Sequence, residues 1–148
     1  MKSRALIPLT LLFLLVSILV SAQKKKQESK EPVQHRIVIQ FNDADSVSQV
    51  RAMMQIDNIR KIWADAEVEL VCMGGGLDLL TKKNSKASKM VADWGAVSGI
   101  TFAACNNTMN NRNIKKEDLL PQAIIVPAAV IELAIKQQEG WSYFRGGK

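Results

Sequence analysis

The chain has 148 residues and a formal net charge of +6; 47% of its residues are hydrophobic and 23% are charged. This length and apolar content predict one domain with a core of its own. Two cysteines and a single histidine, His35, argue against a disulfide framework and against a zinc site built on histidines.

The first 22 residues have the pattern of a cleaved secretory signal peptide. Lys2 and Arg4 supply the basic start, residues 6–20 are mostly apolar, and Ser21-Ala22 provide a small-residue cleavage site. The apolar run is shorter than the ~20 residues that span a bilayer comfortably, so cleavage is favoured over a retained anchor. We therefore expect an exported, periplasmic bacterial protein without stable membrane insertion after cleavage.

Residues 23–34 predict a flexible basic leader, because they are rich in lysine, glutamate, glutamine and serine. The folded domain is then expected over residues 35–148. The signal peptide and the leader together account for four of the six net positive charges, so the domain itself is nearly neutral. This balance argues against a nucleic-acid partner.

Within the domain, short apolar runs alternate with amphipathic stretches, which is typical of an α/β fold with parallel strands. The predicted strands cover residues 36–41, 68–73, 100–105, 123–126 and 141–144. The predicted helices cover residues 47–64, 77–80, 85–94, 116–120 and 128–138.

The long helix at 47–64 is expected to pack on the sheet through one apolar stripe. That stripe consists of Val47, Val50, Met54, Ile59, Ile62 and Trp63. Asp43 and Asp45 lie just before the helix, where carboxylates commonly cap the first backbone N–H groups. We interpret them as helix caps and not as an acid/base pair.

In parallel α/β sheets, functional sites lie at the carboxyl ends of the strands. Three segments are expected to converge there: residues 42–45, 72–76 and 105–108. Gly74, Gly75 and Gly76 permit a tight strand-to-helix turn or a phosphate cradle. The turn is favoured, because the Lys-Ser/Thr of a P-loop is missing.

Cys105 is the leading candidate for chemistry, because an apolar strand ends at this thiol and a polar stretch, residues 106–113, follows. A thiol delivered to a loop beside free backbone N–H groups, or at a helix N-terminus, ionises more readily than one in a core. Asn106, Asn107 and Thr108 would form the supporting loop.

Cys72 lies inside an apolar run, which favours burial. If its strand neighbours that of Cys105, both thiols lie at the same sheet edge, where a disulfide, a resolving pair or a redox switch can form.

Three segments carry a resemblance to a known family. They are Phe-Ala-Ala-Cys-Asn-Asn-Thr-Met at 102–109, Asp-Leu-Leu-Pro at 118–121, and Glu-Leu at 132–133 followed by residues 136–143. Together they resemble the DsrE/DsrF-like family of sulfur-relay proteins, over residues 35–144. The resemblance implies a three-layer α/β/α fold with a mainly parallel sheet of four to five strands, assembled as trimers or hexamers.

The same resemblance implies that Cys105 accepts sulfane sulfur as a persulfide and passes it on. No cofactor and no metal are expected. The partners would then be a sulfur-donor or sulfur-acceptor protein. A second interpretation stays open: a non-catalytic exported binding or assembly module whose cysteines are structural or act as a redox switch.

Overall fold

A computed structural model describes residues 33–147. The predicted signal peptide, residues 1–22, and most of the predicted leader lie outside the described residues. Within residues 33–147, no helix combines the length and the apolarity needed to cross a membrane.

The centre of the domain is a sheet of five strands in the order β4-β3-β2-β1-β5. The strands are β1 Arg36–Phe41, β2 Glu67–Cys72, β3 Ile100–Cys105, β4 Ala123–Val126 and β5 Ser142–Arg145. Every neighbouring pair is parallel. The predicted parallel α/β class is confirmed, and only β2 and β5 differ from the predicted bounds, by one residue.

Helices cover both faces of this sheet. They are α1 Ser46–Ile62, α2 Ser88–Gly95, α3 Asn106–Asn111 and α4 Ala129–Gln138, with short 3-10 helices at Gly74–Leu80 and Lys116–Asp118. Because β4 and β5 are the two edges of the sheet, their connection must cross all the strands between them. Helix α4 makes this crossing on the face opposite α1 and α2, which gives the three-layer arrangement.

Two buried clusters, one on each face, explain why the strands are continuous apolar runs. The first joins Phe41, Leu70 and Phe102 to Met53 of α1 and Val91 of α2. The second lies under α4 and consists of Val38, Val71, Ala103, Cys105, Val126, Ala129 and Leu133. We call the first the α1-side cluster and the second the α4-side cluster. Cys105, at the carboxyl end of β3, belongs to the α4-side cluster.

The apolar stripe predicted for α1 is wrong except at Ile59, which is half-buried and packs against the core. The helix instead buries Ser48, Gln49, Ala52, Met53 and Ile56. The predicted stripe residues are exposed or half-buried: Val47, Val50, Met54, Ile59, Ile62 and Trp63. Gln49 can lie inside because its amide is satisfied there: Oε1 accepts the Lys86 backbone N–H at 2.8 Å, and Nε2 donates to the Ala44 carbonyl at 3.1 Å.

Of the two aspartates expected to cap α1, Asp45 does so. Its Oδ2 accepts the Ser48 backbone N–H at 2.9 Å. Asp43 does not cap the helix, and within residues 33–147 its buried Oδ2 has no hydrogen-bond partner.

Candidate functional site

Three segments meet at the carboxyl edge of the sheet, as the topology requires. The Gly74 backbone N–H donates to the Thr108 hydroxyl oxygen at 3.0 Å, which joins the segment after β2 to α3, the helix after β3. A Cβ added at Gly75 would lie 3.0 Å from Ala44, so the turn after β1 is in contact as well.

Cys105 lies at the start of a helix and not at the start of a loop. The prediction of a supporting loop at Asn106, Asn107 and Thr108 is wrong, because Asn106–Asn111 form α3, and Cys105 is its N-cap residue. The asparagine-rich segment adopts this helix because its side chains are mostly exposed while Met109 packs into the core. The thiol therefore lies beside the unpaired N–H groups of the first helical turn.

The sulfur of Cys105 also contacts the start of α4. Cys105 pairs with Val126 in the β3–β4 register, so the turn that leads into α4 passes directly beside the thiol. The backbone N–H of Ala129, the first residue of α4, donates to Sγ at 3.3 Å. Two helix N-termini, each with a partial positive charge, thus meet at one sulfur.

These contacts change the acidity of the thiol. Burial would raise the pKa of Cys105, whose residue surface is only 4% exposed. The hydrogen bond from the Ala129 N–H, together with the nearby donor groups of Thr108 and Asn107, outweighs burial and lowers the pKa of Cys105 below its usual value. The lowered pKa increases the fraction of Cys105 that is present as the reactive thiolate.

Cys72 is not a partner of Cys105 in this structure. Both cysteines are free, and Cys72 belongs to the α1-side cluster while Cys105 belongs to the α4-side cluster. Cys72 pairs with Ala104 across the ladder, and successive side chains on a strand point to opposite faces. The predicted disulfide or resolving pair is therefore not formed, and full burial strongly raises the pKa of Cys72.

The glycine triplet forms the tight turn that was favoured. Gly74 has a φ of +53°, a conformation that residues with a side chain rarely adopt. A Cβ at Gly76 would lie 2.4 Å from the Phe41 carbonyl oxygen, so only glycine allows the 3-10 helix to approach β1 this closely.

The sequence did not predict two residues of the site, Arg112 and Ala129. Arg112, just after α3, donates to the Gly74 carbonyl at 2.9 Å and pairs with Asp78 at 2.7 Å. Ala129 acts only through its backbone N–H, so no side-chain pattern marks it. Finding the Arg112 contacts requires the register of β2 and β3, and finding the Ala129 contact requires the register of β3 and β4.

His35 lies at the amino end of β1, away from this edge, and stacks on Trp63 with the ring centroids 4.0 Å apart. Among residues 33–147, no three His, Cys, Asp or Glu side chains come together as a metal site.

Comparisons with known proteins agree with the resemblance found in the sequence. The model of the DsrE/DsrF-like family matches residues 16–145. Among solved structures, the chain is similar to the protein of unknown function MTH1491 from Methanobacterium thermoautotrophicum, with 29% identity and a TM-score of 0.65. That match covers 76% of this chain and 99% of the other. A search of curated proteins gave no match.

Proposed function

The chain belongs to the DsrE/DsrF-like family, and on this basis we propose that it is a sulfur carrier that holds sulfane sulfur as a persulfide on Cys105. The observation that carries the proposal is the set of hydrogen-bond donors around the Cys105 sulfur, which lowers the pKa of this thiol against the effect of burial. A stabilised thiolate is the reacting species in sulfur transfer.

The transfer needs no external oxidant or reductant. The Cys105 thiolate attacks the outer sulfur of a donor persulfide, R–S–SH; a sulfur–sulfur bond forms to Cys105 and the donor leaves as the thiolate R–S⁻. An acceptor thiolate then attacks the outer sulfur of Cys105–S–SH in the same way. This second step restores the Cys105 thiolate, so one bond forms and one breaks in each step.

Intact-mass analysis tests this proposal. The mature protein, isolated without reductant, is measured before and after incubation with inorganic polysulfide. We expect a gain of one sulfur atom that dithiothreitol removes, that is lost in Cys105→Ser and that persists in the matched control Cys72→Ser. A protein that gains no sulfur, or that gains it equally in Cys105→Ser, would contradict the carrier function.

The same spectrum tests the proposed localisation. We propose that the protein acts after export, on the strength of the signal-peptide pattern in residues 1–22. A mature mass that begins at Gln23 in the periplasmic fraction is the expected result. An intact chain that retains Met1 would contradict cleavage.

We further propose that the protein is a homo-oligomer, with α4 in the interface. Val130, Ile131 and Ile135 of α4 are exposed although Ala129 and Leu133 already fill the core side, so the helix also presents apolar side chains away from the core. One helix cannot cover a five-stranded sheet, and Ile124 of β4 stays exposed on the same face. A second copy of the chain, packed beside α4, would complete this layer.

Sedimentation analysis tests the interface. Ile131→Lys should shift the protein to a monomer, whereas Met54→Lys, at an exposed position of α1 on the opposite face, should leave the mass unchanged. A monomeric wild type, or an unchanged mass in Ile131→Lys, would contradict the proposed interface.

A non-catalytic assembly module is the second candidate function. The exposed apolar surface of α4 and the 4% exposure of Cys105 are the observations that favour it. The polysulfide experiment separates the two candidates, because an assembly module would form its oligomer and yet gain no sulfur.

A further inference from the structure

Helix α4 packs on the sheet through a stripe that is half apolar and half charged. Its buried residues are Ala129 and Leu133. Glu132 and Lys136 follow Ala129 by three and seven positions, which places them on the same side of the helix. Two apolar side chains, one of them only a methyl group, give a helix of ten residues little directional packing. The charged half of the stripe is therefore needed to fix α4 on the sheet.

The charged half of the stripe meets a buried carboxylate. Glu69 lies on β2, the central strand of the sheet, and its side chain is only 4% exposed. Lys136 Nζ lies 3.0 Å from Glu69 Oε2 and 3.8 Å from Glu132 Oε1. Within residues 33–147, the buried Glu69 Oε1 has no hydrogen-bond partner. A shift of α4 that moved Lys136 away would therefore leave a buried charge uncompensated.

The apolar half of the stripe begins at the thiol. The Ala129 N–H donates to the Cys105 sulfur at 3.3 Å. Ala129 and Lys136 are seven residues apart, which is about 10 Å, or two turns, along the helix. Because a hydrogen bond weakens steeply with its angle, a small slide or rotation of α4 would break the contact with Cys105. The two contacts hold α4 to β3 and to β2, which are neighbouring strands.

Among residues 33–147, the other charged groups around the pair are Glu132, Glu139 and Arg36. Glu132 lies on α4 and Glu139 is its C-cap, so both move with Lys136. Arg36 of β1 donates to the Glu139 carbonyl at 2.8 Å, but this contact is exposed, and water can replace either partner. Glu69 is thus the buried sheet residue that holds the charged half of α4.

We propose that Glu69 and Lys136 are a positioning pair: their ion pair fixes α4 on the sheet so that the Ala129 N–H is directed at the Cys105 sulfur and stabilises its thiolate. A buried ion pair contributes little net stability, because the desolvation of both charges offsets their attraction, and selection of one packing arrangement is its better supported role. The inference deepens the proposed function and rests on it for its biological meaning, since it concerns the same thiol.

The test follows the rate of Cys105 alkylation by iodoacetamide as a function of pH, measured by mass spectrometry of the full mature protein. The midpoint of the profile reports the acidity of the thiol, whereas the plateau at high pH reports access to it. We expect a higher midpoint in Lys136→Met and in Glu69→Leu, because either change releases α4. Well below the midpoint, the rate should fall about tenfold for every pH unit by which the midpoint rises.

The signs of these two shifts separate positioning from a charge effect through space. If the two charges acted on the thiolate directly, loss of the Lys136 cation would raise the midpoint and loss of the Glu69 anion would lower it. Release of α4 raises the midpoint in both variants. Shifts of opposite sign would therefore overturn the proposal.

The double variant Glu69→Leu/Lys136→Met separates positioning from stability. Apolar replacement of a buried ion pair is often neutral or stabilising, so this protein should fold, and it keeps the net charge of the wild type. Its midpoint should still be higher than that of the wild type. A wild-type midpoint in the folded double variant, or in Glu69→Leu where the double variant is unfolded, would overturn the proposal.

Lys89→Met is the matched control, because it breaks an exposed ion pair with Asp93 on α2. Its midpoint should equal that of the wild type, and a shift as large as that of Lys136→Met would also overturn the proposal.

These outcomes are separate from those of the polysulfide experiment. Alkylation reports the thiolate whether or not the protein carries sulfur. A chain that gains no sulfur but shows the midpoint shifts would refute the carrier function alone. A chain that gains sulfur without the shifts would refute the positioning role of Glu69 and Lys136 alone.

Discussion

The backbone N–H of Ala129 lies 3.3 Å from the sulfur of Cys105, so one thiol contacts the first turns of two helices. Cys105 is the N-cap residue of α3, and Ala129 is the first residue of α4. Both helices follow strands that are neighbours in the sheet. The acidity of this thiol is thus a property of the β3–β4 pairing as much as of the residues next to it in sequence.

The two cysteines should differ in reactivity. We expect iodoacetamide to modify Cys105 in the native protein at neutral pH, because the Ala129 N–H and the nearby donor groups of Thr108 and Asn107 stabilise its thiolate. Cys72 has no exposed surface, and burial raises the pKa of its thiol, so it should react only in denaturant. Peptide mapping measures both sites in one sample. Equal labelling of the two cysteines in the native state would contradict this assignment.

The lowered pKa of Cys105 should make stability depend on pH. The unfolded chain binds more protons at this site than the native chain between the lowered pKa and the usual thiol pKa, so Cys105 stabilises the native state increasingly as pH rises through that window. This contribution is lost as pH falls through the native pKa of Cys105. The difference in unfolding free energy between wild type and Cys105→Ser, from urea titrations, should grow with pH.

Cys72→Ser supplies the control for the pH experiment. The pKa of Cys72 is raised by burial, so Cys72 contributes a constant stability below the usual thiol pKa and loses it above. The difference between wild type and Cys72→Ser should therefore be flat where the Cys105 difference rises. A flat Cys105 difference would mean that its thiol is not ionised in the native state.

Breaking a buried ion pair under α4 should destabilise the protein far more than breaking a surface pair of similar length. Lys136 Nζ lies 3.0 Å from the buried Glu69 carboxylate, which is only 4% exposed. Removing the lysine in Lys136→Met leaves that charge unpaired and should cost about 3 to 5 kcal/mol. Lys89→Met breaks an exposed pair with Asp93, 2.7 Å long, and should cost no more than about 0.5 kcal/mol.

The loss of unfolding free energy in Lys136→Met should be smaller at acidic pH. Burial raises the pKa of Glu69, and the hydrogen bond and the charge of Lys136 oppose that rise; without Lys136, the pKa of Glu69 rises further. Protonation of Glu69 in acid then removes the unpaired charge. Urea titrations at neutral and acidic pH measure this change. An equal loss at both pH values would show that the charge of Glu69 is not the cause.

Adjacent methionines provide a matched test of which face of α1 packs on the sheet. Met53 is fully buried, whereas Met54 is 50% exposed. Met53→Ala should cost about 2 to 5 kcal/mol, because it opens a cavity in the α1-side core. Met54→Ala should change the unfolding free energy by no more than about 0.5 kcal/mol. Similar losses of unfolding free energy in the two variants, measured by thermal or urea unfolding, would support the predicted stripe through Met54 and contradict the observed one.

The sequence predicted the central strands well because they are buried on both faces and therefore read as apolar runs, as in the segments that became β2 and β3. It failed on the orientation of α1 because Gln49 is polar yet fully satisfied by contacts from Ala44 and Lys86. Those contacts join residues that the hydrophobic pattern cannot relate.

The sequence predicted only part of the candidate site, because some contacts there also join residues that no local pattern relates. Cys105, Thr108 and the glycine triplet stand out as a local pattern at strand ends. The register of β2 and β3 does not, and a shift of one residue exchanges the two faces of a strand. The opposite placement of Cys72 and Cys105 depends on that register, and the contact from Ala129 depends on the register of β3 and β4.

The approach of the glycine turn to β1 gives a last prediction. A Cβ at Gly76 would lie 2.4 Å from the Phe41 carbonyl oxygen and 2.8 Å from the Asn42 Cα, and neither backbone atom can rotate away. Gly76→Ala should therefore destabilise the protein by about 1 to 3 kcal/mol.

Gly95→Ala is the matched control, because its Cβ would also come within 2.4 Å of a neighbour, but that neighbour is the Gln122 side chain. Another rotamer moves the Gln122 Cγ away but leaves the Gln122 Cβ, 2.8 Å from the added Cβ, in place. This variant should therefore cost about 0.5 to 1 kcal/mol, less than Gly76→Ala. Equal losses in urea unfolding would mean that the backbone of β1 yields as easily as a half-buried glutamine side chain. The triplet would then not be needed to bring the 3-10 helix against β1.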